Sequence, residues 1–265
     1  MQWAAGVGDA TMRSIAYVGA LAEISARSLR LLFLSPLKRS RMLQRAVHES
    51  MAAGVGAVPI ISLISFFVGI IIALQGAYEL QRLGAMQLVT SLVAVAITRE
   101  LGPLITAIVV IGRSGSAFAA EIGTMRVTEE LDALETMALD PVAFLVVPKF
   151  VAMAVMLPCL AIWADLMGVL GGSFFGVVGG GFTFGGYMLA TRDALFLRDI
   201  TSGVIKSLVF GMVITAVGCH EGFSTGSGAE EVGRSTTSAV VISILLIILI
   251  DLIFTSLFYL TRGGQ

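Results

Sequence analysis

Charged side chains are scarce in this sequence. Lys, Arg, Asp and Glu make up 13% of its 265 residues and hydrophobic residues 57%, whereas a soluble domain carries roughly 25% charged residues. A mean hydropathy of +0.94 and charge-free runs such as 50–78 and 166–191 are typical of helices that cross a bilayer. The composition excludes an ordinary soluble protein, and the net charge of −1 gives no basic field for a nucleic-acid partner.

Cysteine is also rare, and a phosphate-binding loop is missing. Cys159 and Cys219 lie in separate apolar segments, which excludes a disulfide scaffold and a cysteine zinc site. The sequence contains no Gly-x-x-x-x-Gly-Lys-Ser/Thr motif, which P-loop ATPases use to hold phosphates. We therefore expect no catalytic residue, metal or cofactor in this chain, and ATP and Mg²⁺ would bind a separate ATPase.

Five apolar segments predict an all-α integral membrane protein. Each is long enough to cross a hydrocarbon layer of about 30 Å at 1.5 Å per residue. The predicted spans are about 53–78, 86–111, 142–178, 200–217 and 236–260. The third is long and interrupted by Pro148 and Pro158; one tilted crossing or two short ones fit its length, and we favour one. Residues 53–265 form the predicted transmembrane domain.

The first 52 residues are expected to lie at the membrane surface. Ser14 to Leu34 is moderately apolar but contains Glu23, Arg27 and Arg30, which suits an interfacial helix. Ser35-Pro36 should end it, and a basic cluster follows, formed by Lys38, Arg39, Arg41 and Arg45. Such clusters stay on the cytoplasmic side. This orientation places 79–84 and 179–198 in external loops, and 121–140 and 220–234 in the cytoplasm.

Arg99 and Glu100 are expected near the middle of the second span. Charges at that depth pair or face a cavity, and they mark function by default; the alternative is an intramembrane ion pair that locks neighbouring helices. Asp165 and Asp251 are isolated acids in apolar runs. We interpret them as helix-to-helix hydrogen-bonding groups, although an ion pathway, and hence a secondary transporter or channel, would use such residues too.

Residues 121–137 predict a short amphipathic helix outside the bilayer. Six acidic residues of 121–140 surround apolar residues at helical spacing, namely Val127, Leu131, Leu134 and Ala138. An isolated helix of this length is marginal in water, so a partner surface would stabilise it. We interpret it as a docking surface for another protein; the alternative is a solvated loop helix.

Glycine patterns give two further hypotheses. Gly168, Gly172, Gly176 and Gly180 recur every four residues, which predicts one helix face where another backbone approaches closely. The segment 112–115, Gly-Arg-Ser-Gly, matches the Gly-x-Ser-Gly of rhomboid-type intramembrane proteases, with His220 as the base for Ser114. A serine nucleophile needs its histidine within hydrogen-bond reach, and His220 is predicted at a membrane boundary, so we disfavour a protease.

Several motifs resemble the MlaE/YrbE permeases. They are Thr98-Arg99-Glu100-Leu101-Gly102-Pro103, Gly112-Arg113-Ser114-Gly115-Ser116, the run from Ala120 to Glu130, Met137-Ala138-Leu139-Asp140-Pro141, Lys206-Ser207, and the run from Glu231 to Thr237. The resemblance covers roughly residue 53 to the C-terminus. It implies a homodimeric, multi-pass permease of an ABC transporter in a bacterial inner membrane, with phospholipid as its cargo.

The resemblance also implies partners and residue roles. The partners would be an ABC ATPase, a periplasmic MCE-domain protein and, through the ATPase, a STAS-domain protein. A coupling helix would sit in a groove of the ATPase, with Glu121, Arg126, Glu129, Glu130, Leu131 and Leu134 as its coupling residues. Gln75, Arg99 and Glu100 would line or brace the lipid cavity. We therefore expect transport of phospholipids between the inner and outer membranes.

Overall fold

Helices form the whole secondary structure of the described residues, 2–34 and 39–262, in a computed structural model. The eleven α-helices are α1 Gln2–Leu34, α2 Arg39–Gly54, α3 Val58–Arg82, α4 Leu88–Ala96, α5 Gly102–Val110, α6 Ser116–Val127, α7 Glu130–Thr136, α8 Val147–Val178, α9 Phe184–Ala194, α10 Leu197–Phe223 and α11 Ala229–Arg262. Wider π-helical turns, Ile97–Leu101, Ile111–Gly115 and Val142–Val146, join α4 to α5, α5 to α6, and α8 to the residues before it.

Five helical segments of the described chain are long and apolar enough to cross a membrane. They are Gln44–Arg82, Leu88–Val127, Val142–Val178, Leu197–Phe223 and Ala229–Leu260. The predicted all-α integral membrane protein with about five spans is confirmed. The third segment is one continuous helix with Pro158 inside it, so it corresponds to a single crossing.

The polar segments between the spans are more helical than we expected. The predicted external loop 179–198 contains the eleven-residue helix α9, in which Thr183 accepts a hydrogen bond from the Gly186 amide and so caps the N-terminus. The predicted loop 220–234 is reduced to 224–228, between α10 and α11. Polar composition does not distinguish a loop from a helix end, and in 220–234 it overstated exposure, because Gly222 and Thr225 are buried.

The N-terminal helix begins twelve residues before the predicted start, at Gln2. The Ser35-Pro36 break and Lys38 lie outside the described residues, and α2 begins at Arg39. Of the basic cluster, Arg45 has a described side chain. The boundary we proposed for the interfacial helix was therefore too late, because the weakly polar, alanine-containing start of the chain is compatible with a helix.

The chain divides into two compact units. The first comprises residues 1–49, 114–152 and 212–243, and the second comprises 50–113, 153–211 and 244–265. In the first unit Phe118, Ile122, Val146 and Ile214 are buried. In the second, a hydrophobic cluster forms from Ala73, Ala77, Val89, Val93 and Ile97.

Within the first unit, a tyrosine of α1 links this helix to α10. The Tyr17 hydroxyl donates a hydrogen bond of 2.7 Å to Glu221 Oε1, and its ring lies edge-on to His220 with centroids 4.9 Å apart. Burial, followed by the hydrogen bond and charge of Glu221, raises the pKa of Tyr17 above its ordinary value, so the hydroxyl stays protonated. Arg27 forms a second link, a 3.1 Å salt bridge to Asp140.

Tyr17→Phe tests this link. The change removes one hydrogen bond to a carboxylate, worth roughly 1.5–3 kcal/mol, so we expect faster amide exchange in α1. Hydrogen–deuterium exchange with mass spectrometry measures it. Tyr259→Phe is the matched control, because Tyr259 is 76% exposed. Equal exchange in α1 for both variants would show that Tyr17 does not hold the helix.

The second unit packs α3 and α8 through glycines. A β-carbon on Gly69 would meet the backbone of Gly168, and one on Gly171 would meet the backbone of Phe66. Of the predicted stripe, Gly168, Gly172 and Gly176 lie in α8, but Gly180 lies beyond its end at Val178. The backbone contact therefore uses Gly168 of the stripe together with Gly171, which lies outside it.

Tyr187 of α9 fills the space beside the other two stripe glycines. Its side chain is fully buried, and β-carbons on Gly172 and Gly176 would meet its hydroxyl and its ring respectively. Burial raises the pKa of Tyr187 to about 12. These glycines thus make room for an aromatic ring rather than for a second backbone.

Candidate functional site

A buried lysine joins three polar side chains inside the second unit. Lys206 Nζ, with 1% of its side chain exposed, lies 2.5 Å from Glu100 Oε2 and 2.9 Å from Asp251 Oδ1. It also donates to Thr255 Oγ1 at 2.9 Å, and Thr255 donates to Glu100 Oε2 at 3.1 Å. We call these four residues the Lys206 group. With two carboxylates and one ammonium in the spans, it carries a net charge of −1 when all three are ionised.

Three spans contribute to the Lys206 group. Glu100 lies in the π-helical turn Ile97–Leu101, Lys206 in α10, and Asp251 and Thr255 in α11. Residues four apart share a helix face, so Asp251 and Thr255 reach Lys206 together. π-helical turns occur frequently at functional sites. Asp251, which was isolated in the sequence, has Lys206 as a charged partner. This contact makes a role for Asp251 in an ion pathway a weaker hypothesis than the sequence suggested.

Arg99 has a different partner from Glu100. Its Nε lies 3.7 Å from Asp199 Oδ1, and Asp199 has 4% of its side chain exposed. Asp199 Oδ2 also accepts a hydrogen bond of 3.2 Å from the Phe196 amide near the start of α10. Adjacent residues on a helix do not face each other, so Arg99 and Glu100 have separate partners, and both form ion pairs between neighbouring helices, which was the alternative to a cavity.

Gln75 belongs to neither ion-pair group. Its side chain is exposed on α3, whereas the side chains of Lys206 and Asp199 are buried. The structure therefore brings Arg99 and Glu100 into charged groups within the second unit and leaves Gln75 on the outside of the same unit. A role for Gln75 at a lipid cavity stays a prediction.

Asp165 is partly buried, and its buried Oδ1 atom lacks the hydrogen bond that we expected. That atom has no hydrogen-bond partner among the described residues. A β-carbon on Gly102 would meet it, so the absence of a side chain at Gly102 makes room for the carboxylate. The expected helix-to-helix hydrogen bond is wrong for this oxygen.

Lys149 forms a second charged group, in the first unit. Its Nζ donates to Glu49 Oε1 at 2.9 Å and to Glu121 Oε2 at 2.7 Å, and it lies 4.8 Å from the centroid of the Phe118 ring. The Lys149 side chain is 1% exposed, whereas Glu121 is 47% exposed. Glu121, which the resemblance assigned to ATPase coupling, is thus also the counter-charge of a buried lysine.

The predicted helix 121–137 is broken. α6 ends at Val127 and α7 begins at Glu130, and Glu129 between them adopts a left-handed conformation with φ 60°. A left-handed residue cannot continue a right-handed helix. Arg126 lies 3.6 Å from Asp132 across this break.

The two leucines of the segment face inward. Leu131 is 3% and Leu134 8% exposed, so this chain itself covers the two leucines of the predicted apolar stripe, whereas Val127 is partly buried and Ala138 is exposed. The exposed side chains are acidic for the most part: Glu129, Glu130, Asp132 and Glu135. The leucines anchor the segment, and its acidic side chains stay exposed.

The protease hypothesis fails on geometry. The Ser114 hydroxyl is buried and has no hydrogen-bond partner in the described part of the chain. The His220 ring lies against Tyr17. No histidine therefore activates Ser114, and a serine nucleophile requires that contact. Among the residues described, no cluster of three or more His, Cys, Asp or Glu side chains could hold a metal ion either.

The sequence indicated some of these residues and missed others. Arg99, Glu100 and Asp251 were conspicuous as charges in apolar runs, but Lys206, Asp199, Thr255 and Glu49 were not assigned a site. Lys206 carried the same signal as Asp251, since it is a lone charge in the apolar part of α10. A lone acid, Asp251, and a lone lysine in different spans could have suggested that the two pair.

Comparisons with known proteins agree with this architecture. The family profile described as Permease MlaE matches residues 46–257. A probable ABC transporter permease protein of Rickettsia prowazekii is 36% identical over 253 residues, which is 96% of each chain. The intermembrane phospholipid transport system permease protein MlaE of Haemophilus influenzae is 34% identical over 214 residues, covering 80% of this chain and 82% of that protein.

A plant relative extends the comparison. The chloroplastic protein TRIGALACTOSYLDIACYLGLYCEROL 1 of Arabidopsis thaliana is 39% identical over 203 residues, or 77% of this chain and 58% of that protein. The resemblance that the motifs suggested is confirmed by the profile match and by relatives that this chain covers almost completely. The chain belongs to the MlaE family of permeases, the membrane subunits of ABC transporters.

Proposed function

We propose that this permease moves phospholipids between the inner and outer membranes of a bacterium, as a homodimer in the inner membrane. The match to the MlaE family across residues 46–257, which overlaps all five candidate spans, carries the proposal. A relative that covers 80% of this chain is named for intermembrane phospholipid transport. The proposed partners are an ABC ATPase that binds ATP and Mg²⁺, an MCE-domain protein in the periplasm and, through the ATPase, a STAS-domain protein.

The last span supports the homodimer. In its most apolar stretch, 11% of the residues are buried inside the chain. Leu245, Leu249 and Leu252 are 63%, 54% and 66% exposed, and they repeat at spacings of four and three residues, as one helix face requires. A second copy or lipid can cover this face. In the proposed dimer, each copy contributes its own Lys206 group and Arg99–Asp199 pair.

The transport cavity is proposed to combine apolar walls with these charges. Acyl chains need apolar surroundings, and a phospholipid phosphate needs a cation such as Arg99, which is 19% exposed beside Asp199. Glu100 is 33% exposed beside Lys206, so part of the Lys206 group is accessible. If ATP binds the ATPase more tightly in one permease conformation, that difference in affinity shifts the population and drives the cycle.

Coupling is proposed to use the acidic face of 129–135. This face presents Glu129, Glu130, Asp132 and Glu135 to solvent, and Leu131 and Leu134 fix it to the first unit. A basic groove on the ATPase would complement it, since charges across an interface set the association rate and the choice of partner. Arg126 of α6 forms an ion pair with Asp132 of this segment. Glu121, also in α6, pairs with the buried Lys149.

Charge reversal tests the coupling proposal. The variant carrying Glu130→Lys, Asp132→Lys and Glu135→Lys keeps both buried leucines, so we expect the spans to stay folded. ATPase binding should weaken on the order of tenfold or more because repulsion replaces attraction. Affinity can be measured on the purified permease in nanodiscs, and phospholipid-dependent ATP hydrolysis in the same samples.

A single reversal serves as the control. Asp193→Lys changes an exposed acid of α9, which lies in a predicted external segment, and we expect normal ATPase binding. Unchanged affinity and hydrolysis in the triple variant would refute the coupling role of the acidic face. Equal losses in both variants would refute it too, because the effect would then follow net charge rather than position.

A further inference from the structure

A cavity with mixed charge lies in the first unit, apart from the Lys206 group and the Arg99–Asp199 pair. Its volume is about 230 Å³, whereas a single water needs about 10–15 Å³, so it has room for a small organic group. Its polar lining includes Arg45, His48, Glu49, Glu121 and Lys149, with Phe144 on the apolar side. Helices α2, α6 and α8 and the π-helical turn before α8 supply these residues.

The charges of the cavity are only partly satisfied within the chain. Lys149 occupies one oxygen of each carboxylate, Glu49 Oε1 and Glu121 Oε2, so the second oxygen of each can accept from a ligand. The Arg45 guanidinium carbon lies 3.6 Å from the centroid of the Phe144 ring, and no carboxylate of the described residues lies within salt-bridge distance of it. The cavity therefore offers one cation, Arg45, and two carboxylate oxygens to a ligand.

The cavity lies where the polar headgroups of one leaflet are expected. Arg45 and Glu49 are in the first turns of the span Gln44–Arg82, Phe144 and Lys149 are in the first turns of Val142–Val178, and Glu121 is near the end of Leu88–Val127. Successive spans run antiparallel, so the start of the first, the end of the second and the start of the third meet at one membrane surface. The basic cluster assigns that surface to the cytoplasm.

We propose that this cavity binds the headgroup of a cytoplasmic-leaflet phospholipid that carries a primary amine. Its phosphate pairs with Arg45, and its ammonium donates to the second oxygens of Glu49 and Glu121. Charge-assisted hydrogen bonds of this kind are the strong ones. The acyl chains leave past Phe144 and Leu145, which line the same cavity.

The arrangement discriminates among headgroups. A quaternary ammonium has no N–H and cannot donate to the two carboxylates, and an anionic headgroup without an amine brings hydroxyl donors but no positive charge to them. Phosphatidylethanolamine satisfies both ends, whereas phosphatidylcholine and phosphatidylglycerol satisfy the phosphate end alone. The site shares no residue with the Lys206 group or with the Arg99–Asp199 pair, so its headgroup preference does not depend on which lipid the permease transports.

The first experiment uses the unaltered protein. The chain contains His48 in the cavity and His220 against Tyr17, so ¹³C-labelled histidine gives one reporter in the site and one outside it. Replacing part of the phosphatidylcholine of a nanodisc with phosphatidylethanolamine should shift the His48 ring signal and leave His220 unchanged. Phosphatidylglycerol in the same proportion should not reproduce the shift. An unmoved His48, or an equal shift with phosphatidylglycerol, would overturn the proposal.

The second experiment measures affinity with variants. Arg45→Gln and Glu49→Gln each remove one charged contact, and we expect binding of phosphatidylethanolamine, followed through the His48 shift, to weaken about tenfold in each. Arg30→Gln is the control, because Arg30 is an exposed arginine of α1 outside the cavity. Soluble O-phosphoethanolamine should bind much more weakly than the lipid. Equal affinities for Arg45→Gln and Arg30→Gln would refute the site, and tight binding of the soluble compound would refute a membrane lipid as its source.

Discussion

Lys206→Met is expected to abolish accumulation of folded protein. The change leaves Glu100 and Asp251 side by side within the spans without the ammonium that lies 2.5 and 2.9 Å from them. Removing one partner of a buried ion pair costs about 3–5 kcal/mol, and the total stability of a domain is about 5–15 kcal/mol. Yield of monodisperse protein in detergent and its thermal unfolding temperature measure the effect.

Rescue distinguishes charge from packing. Adding Glu100→Gln and Asp251→Asn to Lys206→Met removes both stranded carboxylates, and we expect folded protein to return while phospholipid transport does not. Arg234→Met is the control, since it removes the cation of an exposed pair, with 82% of the Arg234 side chain accessible. Normal stability of Lys206→Met would contradict the structural account, and normal transport by the rescued variant would contradict the functional one.

Gly69→Ala is expected to disrupt the packing of α3 on α8. The new β-carbon would overlap the backbone of Gly168, and a backbone cannot swing away as a side chain can. Overpacking costs typically about 1–3 kcal/mol, and here the helices must separate along their length. Alanine in a helix is otherwise favoured over glycine by about 1 kcal/mol. The unfolding temperature therefore falls only if the steric cost exceeds that gain.

A second glycine isolates the steric effect. A β-carbon on Gly185 of α9 would meet no heavy atom within 4 Å beyond its chain neighbours and its own helix backbone, so Gly185→Ala should leave the unfolding temperature unchanged or raise it. Gly171→Ala should resemble Gly69→Ala because its β-carbon would meet the Phe66 backbone. A Gly69→Ala protein as stable as Gly185→Ala would show that α3 and α8 are not in backbone contact.

The five spans could be predicted because a membrane imposes a length and a composition on each helix separately. A run such as 53–78 needs no partner to be recognised, since the bilayer itself is the solvent. The helical continuity of 142–178 was harder to predict, because Pro148 and Pro158 suggest breaks in the helix. A proline inside a membrane helix is tolerated when neighbouring groups satisfy the freed carbonyl, and nothing local in the sequence reports those neighbours.

The partners of the charged residues could not be predicted. Glu100 and Lys206 are 106 positions apart and Lys206 and Thr255 are 49 apart, and helical periodicity states which residues share a face without stating which faces meet. Lys149 gave the same difficulty, since Glu49 and Glu121 are 100 and 28 positions from it. A lone charge predicts a partner, but only the packing of helices identifies it.

In the acidic segment, too, the sequence identified an apolar helix face but not what covers it. The spacing of Leu131 and Leu134 correctly indicated a shared apolar face, yet the chain's own first unit covers it. The break at Glu129 was not indicated, because left-handed backbone is typical of glycine and asparagine. In the proposed coupling the acidic face, not the leucines, meets the ATPase, so the acidic residues are the more direct target for mutation.

Affinity purification of the tagged chain from its native host in mild detergent, with mass spectrometry of proteins and lipids, tests the central claim most directly. The account predicts a dimer that retains an ABC ATPase, an MCE-domain protein and phospholipid, and that moves phospholipid in liposomes when ATP is added. A lone oligomer with no nucleotide-binding partner and no ATP-dependent lipid movement would contradict it.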